Sequence, residues 1–222
     1  MKLVWCPERA SKAYIDTVQS VSTLKRESGV AELVSAMAAG WNAQLIVETW
    51  SQGGLIPTSI GLAIASRHTG GRHVCIVPDE TSGLEYGERM SEAGVRRPET
   101  LVGEVEEVME GLEGIDFLVV DSRRGDFARV LRLAKLSAQG AVMVRKNANA
   151  SSSSSKPTFK WRGVVDEGGS RRRVVRSVFL PVGKGLDIAH VSGVGGGRGG
   201  ADGKRWIKHV DRRSGDVHVI RR

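Results

Sequence analysis

No apolar run in this chain of 222 residues approaches the roughly 20 residues that a bilayer-spanning helix needs. A helical membrane protein is therefore excluded, and no membrane partner is expected. The first residues, MKLVWCPERASKAY, carry neither an apolar h-region nor a small-residue cleavage site, so no secretory leader is expected. Cysteine is scarce: Cys6 and Cys75 lie far apart and form no CxxC pair. That excludes a disulfide framework and points to a reducing compartment, cytoplasmic or nuclear. Cys75, inside the apolar run Val74 to Val77, reads as a small core residue. The histidines His68, His73, His190, His209 and His218 show no metal-ligand spacing, which argues against a zinc site. There is no GxSxG nucleophile motif and no GGKS-like phosphate loop.

What is present fits one sizeable core. Hydrophobic residues make up 40% of the chain, enough for one main domain with extensions. The net charge of +8 is unevenly placed. Residues 1–144 hold 15 Lys/Arg against 19 Asp/Glu, or −4, and residues 145–222 hold 18 against 6, or +12. The basic character belongs to the C-terminal third, where it either aids solubility or meets a polyanion.

Two amphipathic helices open the chain. Ala10, Ala13, Tyr14, Val18 and Val21 recur at helical spacing after Glu8. Val30, Leu33, Val34, Met37 and Ala38 do so after Ser28, a candidate N-cap, with Gly40 as a stop. Short apolar strands are then expected at Gln44 to Val47, His73 to Val77, Thr100 to Val102, Phe117 to Val120 and Ala141 to Val144. Helix-like segments separate them near residues 58–67, 82–93, 104–112 and 126–136. Such alternation predicts a mostly parallel sheet with helices on both faces, because parallel strands need crossovers that pack back on the sheet.

The serine-rich stretch at 148–157 cannot bury enough apolar surface to offset its ordering entropy and is expected to be a flexible loop. Val174 to Leu180 and Leu186 to Val191 read as two strands joined by PVGKG. The tract Gly193 to Gly203 is of low complexity, and Trp206 to Val210 with Val217 to Ile220 predict a hairpin around DRRSGD. The expected organisation is an N-terminal helix at 1–26, a main domain at 27–191 and a Gly-rich basic extension at 192–222.

The clearest single pointer to a site is GIDFLVVDSRRGDF, Gly114 to Phe127. Four apolar residues run into Asp121 and a polar turn, the pattern of a buried parallel strand whose C-terminal end carries a carboxylate. In open α/β sheets that edge is where ligands sit.

The ordered set of a strand ending in Glu48, a glycine-bearing loop, a second strand near Asp79, VGEVEEVMEGL, DFLVVDSRRGDF, GAVMVRKN and LPVGKGLDIA resembles a known family. It is similar to class I S-adenosylmethionine (SAM) dependent methyltransferases of the catechol and caffeoyl-CoA O-methyltransferase type. The whole chain, including SAMAAGWNAQLIVE and the ending RWIKHVDRRSGDVHVIRR, is identified as a member of the plant family called domain of unknown function 1442. The resemblance implies a Rossmann-like fold with a seven-stranded sheet, its last strand antiparallel, and SAM as cofactor.

Mapped by that resemblance, the cofactor-binding candidates are Glu48, Gly53, Gly54, Thr58, Ser59, Asp79, Glu104, Val105 and Asp121. Glu48 matches the acid that ends the first strand, but Trp50 falls where the first glycine is expected, and Gly53 and Gly54 arrive late. Thr58 and Ser59 would open the next helix and donate to the carboxylate. Pro78 stands at the position of the ribose-binding acid, with Asp79 and Glu80 following. Asp79 is either a displaced ribose ligand or a solvated helix start. Glu104 and Val105 match the adenine-flanking segment or form the first turn of a helix.

The family's divalent cation site is broken. Asp121 and Asn147 are retained, but Lys146 replaces the second carboxylate and Arg124 the basic lysine. A hard cation needs anionic oxygen ligands, and arginine cannot act as a base near neutrality. No metal is expected. Asp121 with Arg123, Arg124, Arg145 and Lys146 would make that mouth cationic. Three readings follow: a metal-independent methyltransferase on a small or acidic substrate, a pseudoenzyme that binds a protein or ligand, and an RNA-associated module. For the last, Trp161 and Trp206 would stack bases. The preferred alternative packs both on the sheet.

Overall fold

Strands β1 (Leu45–Thr49), β5 (Phe117–Asp121) and β7 (Gly140–Lys146) are buried at every residue, as expected of strands covered on both faces. In the computed structural model they form the centre of a seven-stranded sheet. Its other members are β2 (Arg72–Val77), β3 (Glu99–Val102), β8 (Val174–Leu180) and β9 (Leu186–Ser192). The order is β3-β2-β1-β5-β7-β9-β8. The first five run parallel, and β9 is antiparallel to both β7 and β8. This is the class I methyltransferase fold. The structure describes residues 5–22, 24, 29–151, 159–165, 172–193, 206–210 and 217–221. The Ser28 cap, residues 152–157 of the serine-rich loop, the glycine-rich tract beyond Gly193 and the turn DRRSGD lie outside them.

Side-chain alternation along the strands divides the core in two. On one face Ile46, Cys75, Phe117, Val119 and Val144 meet α1 (Pro7–Val21), α2 (Val30–Gly40), α3 (Pro57–Thr69) and α4 (Glu80–Glu92). On the other, Val47, Ile76, Leu118, Val120 and Met143 meet α5 (Val105–Glu110), α6 (Phe127–Leu133) and α7 (Trp161–Val165). Pro57 starts α3, where its missing N–H costs nothing, and Gly70 ends it in the left-handed conformation at φ 69°.

Two helix-like segments are shorter than their pattern suggests. The chain leaves α5 and α6 to form a small parallel pair, β4 (Glu113–Ile115) with β6 (Lys135–Leu136), and Lys135 Nζ donates to the carbonyl of Glu110 at 2.8 Å. The tail strands β10 (Trp206–Val210) and β11 (Val217–Arg221) pair antiparallel, with Trp206 opposite Arg221. Ala148 to Ser151, at the start of the serine-rich stretch, form a single 3-10 turn.

Candidate functional site

The C-terminal ends of β1, β2, β5 and β7 bring Glu48, Pro78, Asp121 and Lys146 to one edge of the sheet. Glu48 does not face outward there. Its residue is 1% exposed, and both carboxylate oxygens are taken. Ser59 Oγ donates to Oε2 at 2.9 Å, while Tyr86 Oη and His73 Nε2 reach Oε1 at 2.8 and 3.0 Å. Parallel register explains the meeting: Ile46 pairs with His73 and Glu48 with Cys75, so all share a face. Burial pushes the Glu48 carboxyl up, but His73, Lys146 and Tyr86 outweigh it and hold it below the ordinary range. Burial and the Glu48 charge drive the Tyr86 hydroxyl and the Cys75 thiol well above theirs. A buried carboxylate is tolerable only with such partners.

Trp50 closes the same corner. Its indole is 2% exposed and packs on Tyr86 with ring centroids 5.4 Å apart. A Cβ at Gly54 would lie 2.6 Å from Trp50 Nε1 and 2.8 Å from the Ser51 carbonyl, so this glycine makes room for the indole. Gly53 sits at φ +72° with open space around it, a turn requirement. Thr58 and Ser59 lie in the first turn of α3, both buried. Ser59 donates to the chain's own Glu48 rather than to a cofactor carboxylate.

Asp79 is the N-cap of α4: it is exposed and accepts from Ser82 N at 2.7 Å. The helix-start reading describes it. Glu104 occupies the exposed N-cap position of α5, and Val105 is buried in the second core cluster.

Asp121 is paired rather than open. Arg123 grips both its oxygens with Nε and Nη2 and also donates its backbone N–H, while Asn147 Nδ2 donates at 2.9 Å. Lys146 Nζ stands 3.8 Å away. Burial opposes ionisation, but Arg123, Lys146 and Asn147 win and lower its pKa. Arg124 chelates Asp126 through Nε and Nη2 at 2.9 and 2.6 Å, and its Nη1 donates to the carbonyl of Trp50 at 3.1 Å. The arginine thus staples the β5 turn to the β1 loop.

The expected cationic mouth is assembled in part: Arg123 and Lys146 lie at Asp121 and Arg124 at the same turn, but Arg145 is not among them. Strand alternation sends Lys146 to the Glu48 face and Arg145 to the other, where its guanidinium lies 4.3 Å from the Phe159 ring centroid and bonds Asp187 at 3.1 Å. Trp161 is 5% exposed and donates to Asp187 at 2.7 Å, so it packs on the sheet. His73 and Tyr86, which complete the Glu48 cluster, carry no sequence motif. Only the β1–β2 register could have disclosed His73.

The residues do not fit the groups that the resemblance implies. For SAM, an indole replaces the first glycine, the first-strand acid is satisfied internally, and proline replaces the ribose acid. For a divalent cation, Asp121 already holds one arginine and faces a lysine, and an ammonium repels a cation. Neither of two cavities, of about 390 and 610 Å³, is lined by any of the nine cofactor candidates.

The family described as protein of unknown function (DUF1442) matches residues 1–222, and the chain belongs to it. No curated protein matches the chain. Among solved structures it is similar to the O-methyltransferase TomG from Streptomyces achromogenes, in complex with SAM, at 27% identity and TM-score 0.57. That alignment covers 86% of this chain and 92% of TomG. A Geobacter sulfurreducens methyltransferase matches at 22% identity and TM-score 0.57, over 82% of this chain and 88% of the other. A Bacillus cereus O-methyltransferase in complex with SAH matches at 17% and 0.55, over 86% and 93%. The protein is methyltransferase-like in fold.

Proposed function

We propose that this DUF1442 protein uses the methyltransferase fold as a non-catalytic binding module and transfers no methyl group. The observation that carries this reading is the Glu48 carboxylate, held by Ser59, His73 and Tyr86 under a buried Trp50. An acid with three internal partners and 1% exposure presents no accessible oxygen to orient a cofactor, and the indole fills the approach that an absent side chain would leave. At the other half of the edge, Arg124 is occupied as a staple, and the amine nearest Asp121 among the described residues, Lys146, stands 3.8 Å from its carboxylate. With the arginine so occupied, proximity would have to supply most of the rate enhancement.

The rival reading is metal-independent methyl transfer to a small or acidic substrate. The likeness to TomG, whose structure holds SAM, favours it. Equilibrium dialysis of the full chain against radiolabelled SAM separates the two. The binding-module reading expects no retention above a protein control. Stoichiometric retention would favour the enzyme.

A further inference from the structure

At the opposite end of the strands a cavity of about 610 Å³ opens between the last turns of α3 and α4, the start of β2 and residues 93–99. Small-molecule sites span roughly 300–1,000 Å³. Arg67, Arg72, Arg96 and Arg97 line it, with His73 and one acid, Glu99. Arg67 is paired with Asp16 and Arg72 with Glu99. Arg96 and Arg97 form no ion pair among the described residues, and Arg97 reaches only Gly83 O and Thr100 Oγ1, at 3.4 and 3.5 Å. Both arginines are exposed.

Helix C-terminal carbonyls would oppose an anion here, but several of them are already answered. Gly71 N donates to Ser66 O, Gly94 N to Ser91 O and Val95 N to Met90 O.

His73 adds a second recognition element. Its Nε2 donates to the ionised Glu48, because a carboxylate only accepts. Its Nδ1 is buried with no partner among the described residues, and a buried polar atom left so is costly until something pairs with it.

We propose that this cavity binds a small hydroxylated oxyanion. Its carboxylate or phosphate sits on the Arg96 and Arg97 guanidinium groups, whose planar fork matches both, and its hydroxyl, which can donate or accept, pairs with His73 Nδ1. The site opens at the opposite end of the strands from the methyltransferase edge and touches the Glu48 cluster through His73.

The test titrates the isotope-labelled full chain with glycerol 3-phosphate and, separately, malate, following backbone amide shifts. Saturable shifts centred on residues 66–73 and 93–99 with either probe support the site, and the better probe identifies the head group. Arg96→Gln combined with Arg97→Gln should weaken that probe at least tenfold, whereas Lys12→Ala, on a distant exposed ion pair, should not. Succinate, which lacks the hydroxyl of malate, should bind more weakly. The proposal is overturned by shifts confined to the basic C-terminal residues, by no saturation at millimolar concentration, by unchanged affinity in the double variant, or by succinate equalling malate.

Discussion

The two ends of the sheet treat their charges in opposite ways. At the C-terminal end, Glu48, Asp121, Asp126, Arg123 and Arg124 turn to one another, and each carboxylate is bonded within the chain. At the N-terminal end, Arg96 and Arg97 have no acid partner among the described residues and a buried imidazole nitrogen has no hydrogen-bond partner there. On the proposed reading, groups that the resemblance turns toward a ligand at the strand C-termini serve instead as internal braces. Open polar capacity has moved to the other edge. Fold alone assigns neither end a function, because function lives in the site.

If Glu48 is a brace, removing it should be the most damaging change at that edge. Glu48→Ala leaves Ser59, Tyr86 and His73 facing a buried void, a loss of about 3–5 kcal/mol for a broken buried pair. For a chain of this size that lowers Tm by about 6–20 °C. A thermal melt within a degree or two of the parent would instead make Glu48 an open ligand position.

The pH profile of stability should show the same brace. Glu48 and Asp121 lie below their ordinary values of 4.5 and 3.8, so the unfolded chain takes up protons first on acidification. Their stabilisation is present above those values and is lost as pH falls through the lowered folded values. Cys75 and Tyr86 lie above their ordinary 9.0 and 10.0, so the unfolded chain loses protons first as pH rises, and stability falls from about pH 9 upward. Tm measured across the pH range should be a plateau with two falling limbs. Stability that rises on acidification below the ordinary carboxylate range would contradict the assignment.

A smaller effect sharpens the metal half of the comparison. Magnesium should leave the parent Tm unchanged, since Asp121 faces Arg123 and Lys146. Lys146→Asp restores the acid, and magnesium at a hundredfold its Kd would then stabilise the variant by about 2.7 kcal/mol. A magnesium-dependent rise in the parent, abolished by Asp121→Ala, would overturn this. The smallest effect is at Asp79: as an N-cap, Asp79→Ala should cost about 1 kcal/mol in urea unfolding. No loss at all would remove its capping role.

Strands β1, β2, β5 and β7 were legible because burial on both faces leaves short apolar runs, and β9 because LPVGKGLDIA carries its turn. The small β4–β6 pair was not, since strands of three and two residues hide at the ends of helix-like patterns. In the site, Glu48 and Asp121 could be placed at strand ends, but not the direction in which their carboxylates are spent. His73 and Tyr86 lie 25 and 38 residues from Glu48, and only tertiary register joins them. Arg145 and Lys146 were read as one cationic mouth although neighbours on a strand face opposite ways, a period-of-two constraint that the sequence does contain.

The central claim is that Trp50 and the internally bonded Glu48 leave no place for a methyl donor. Calorimetric titration of the full chain with SAM and SAH tests it most directly, beside a variant that reopens the corner, Trp50→Gly with Pro78→Glu. The account predicts no binding heat for the parent at millimolar ligand and a measurable, saturable heat for the variant. Saturable micromolar binding of SAH by the parent would contradict it.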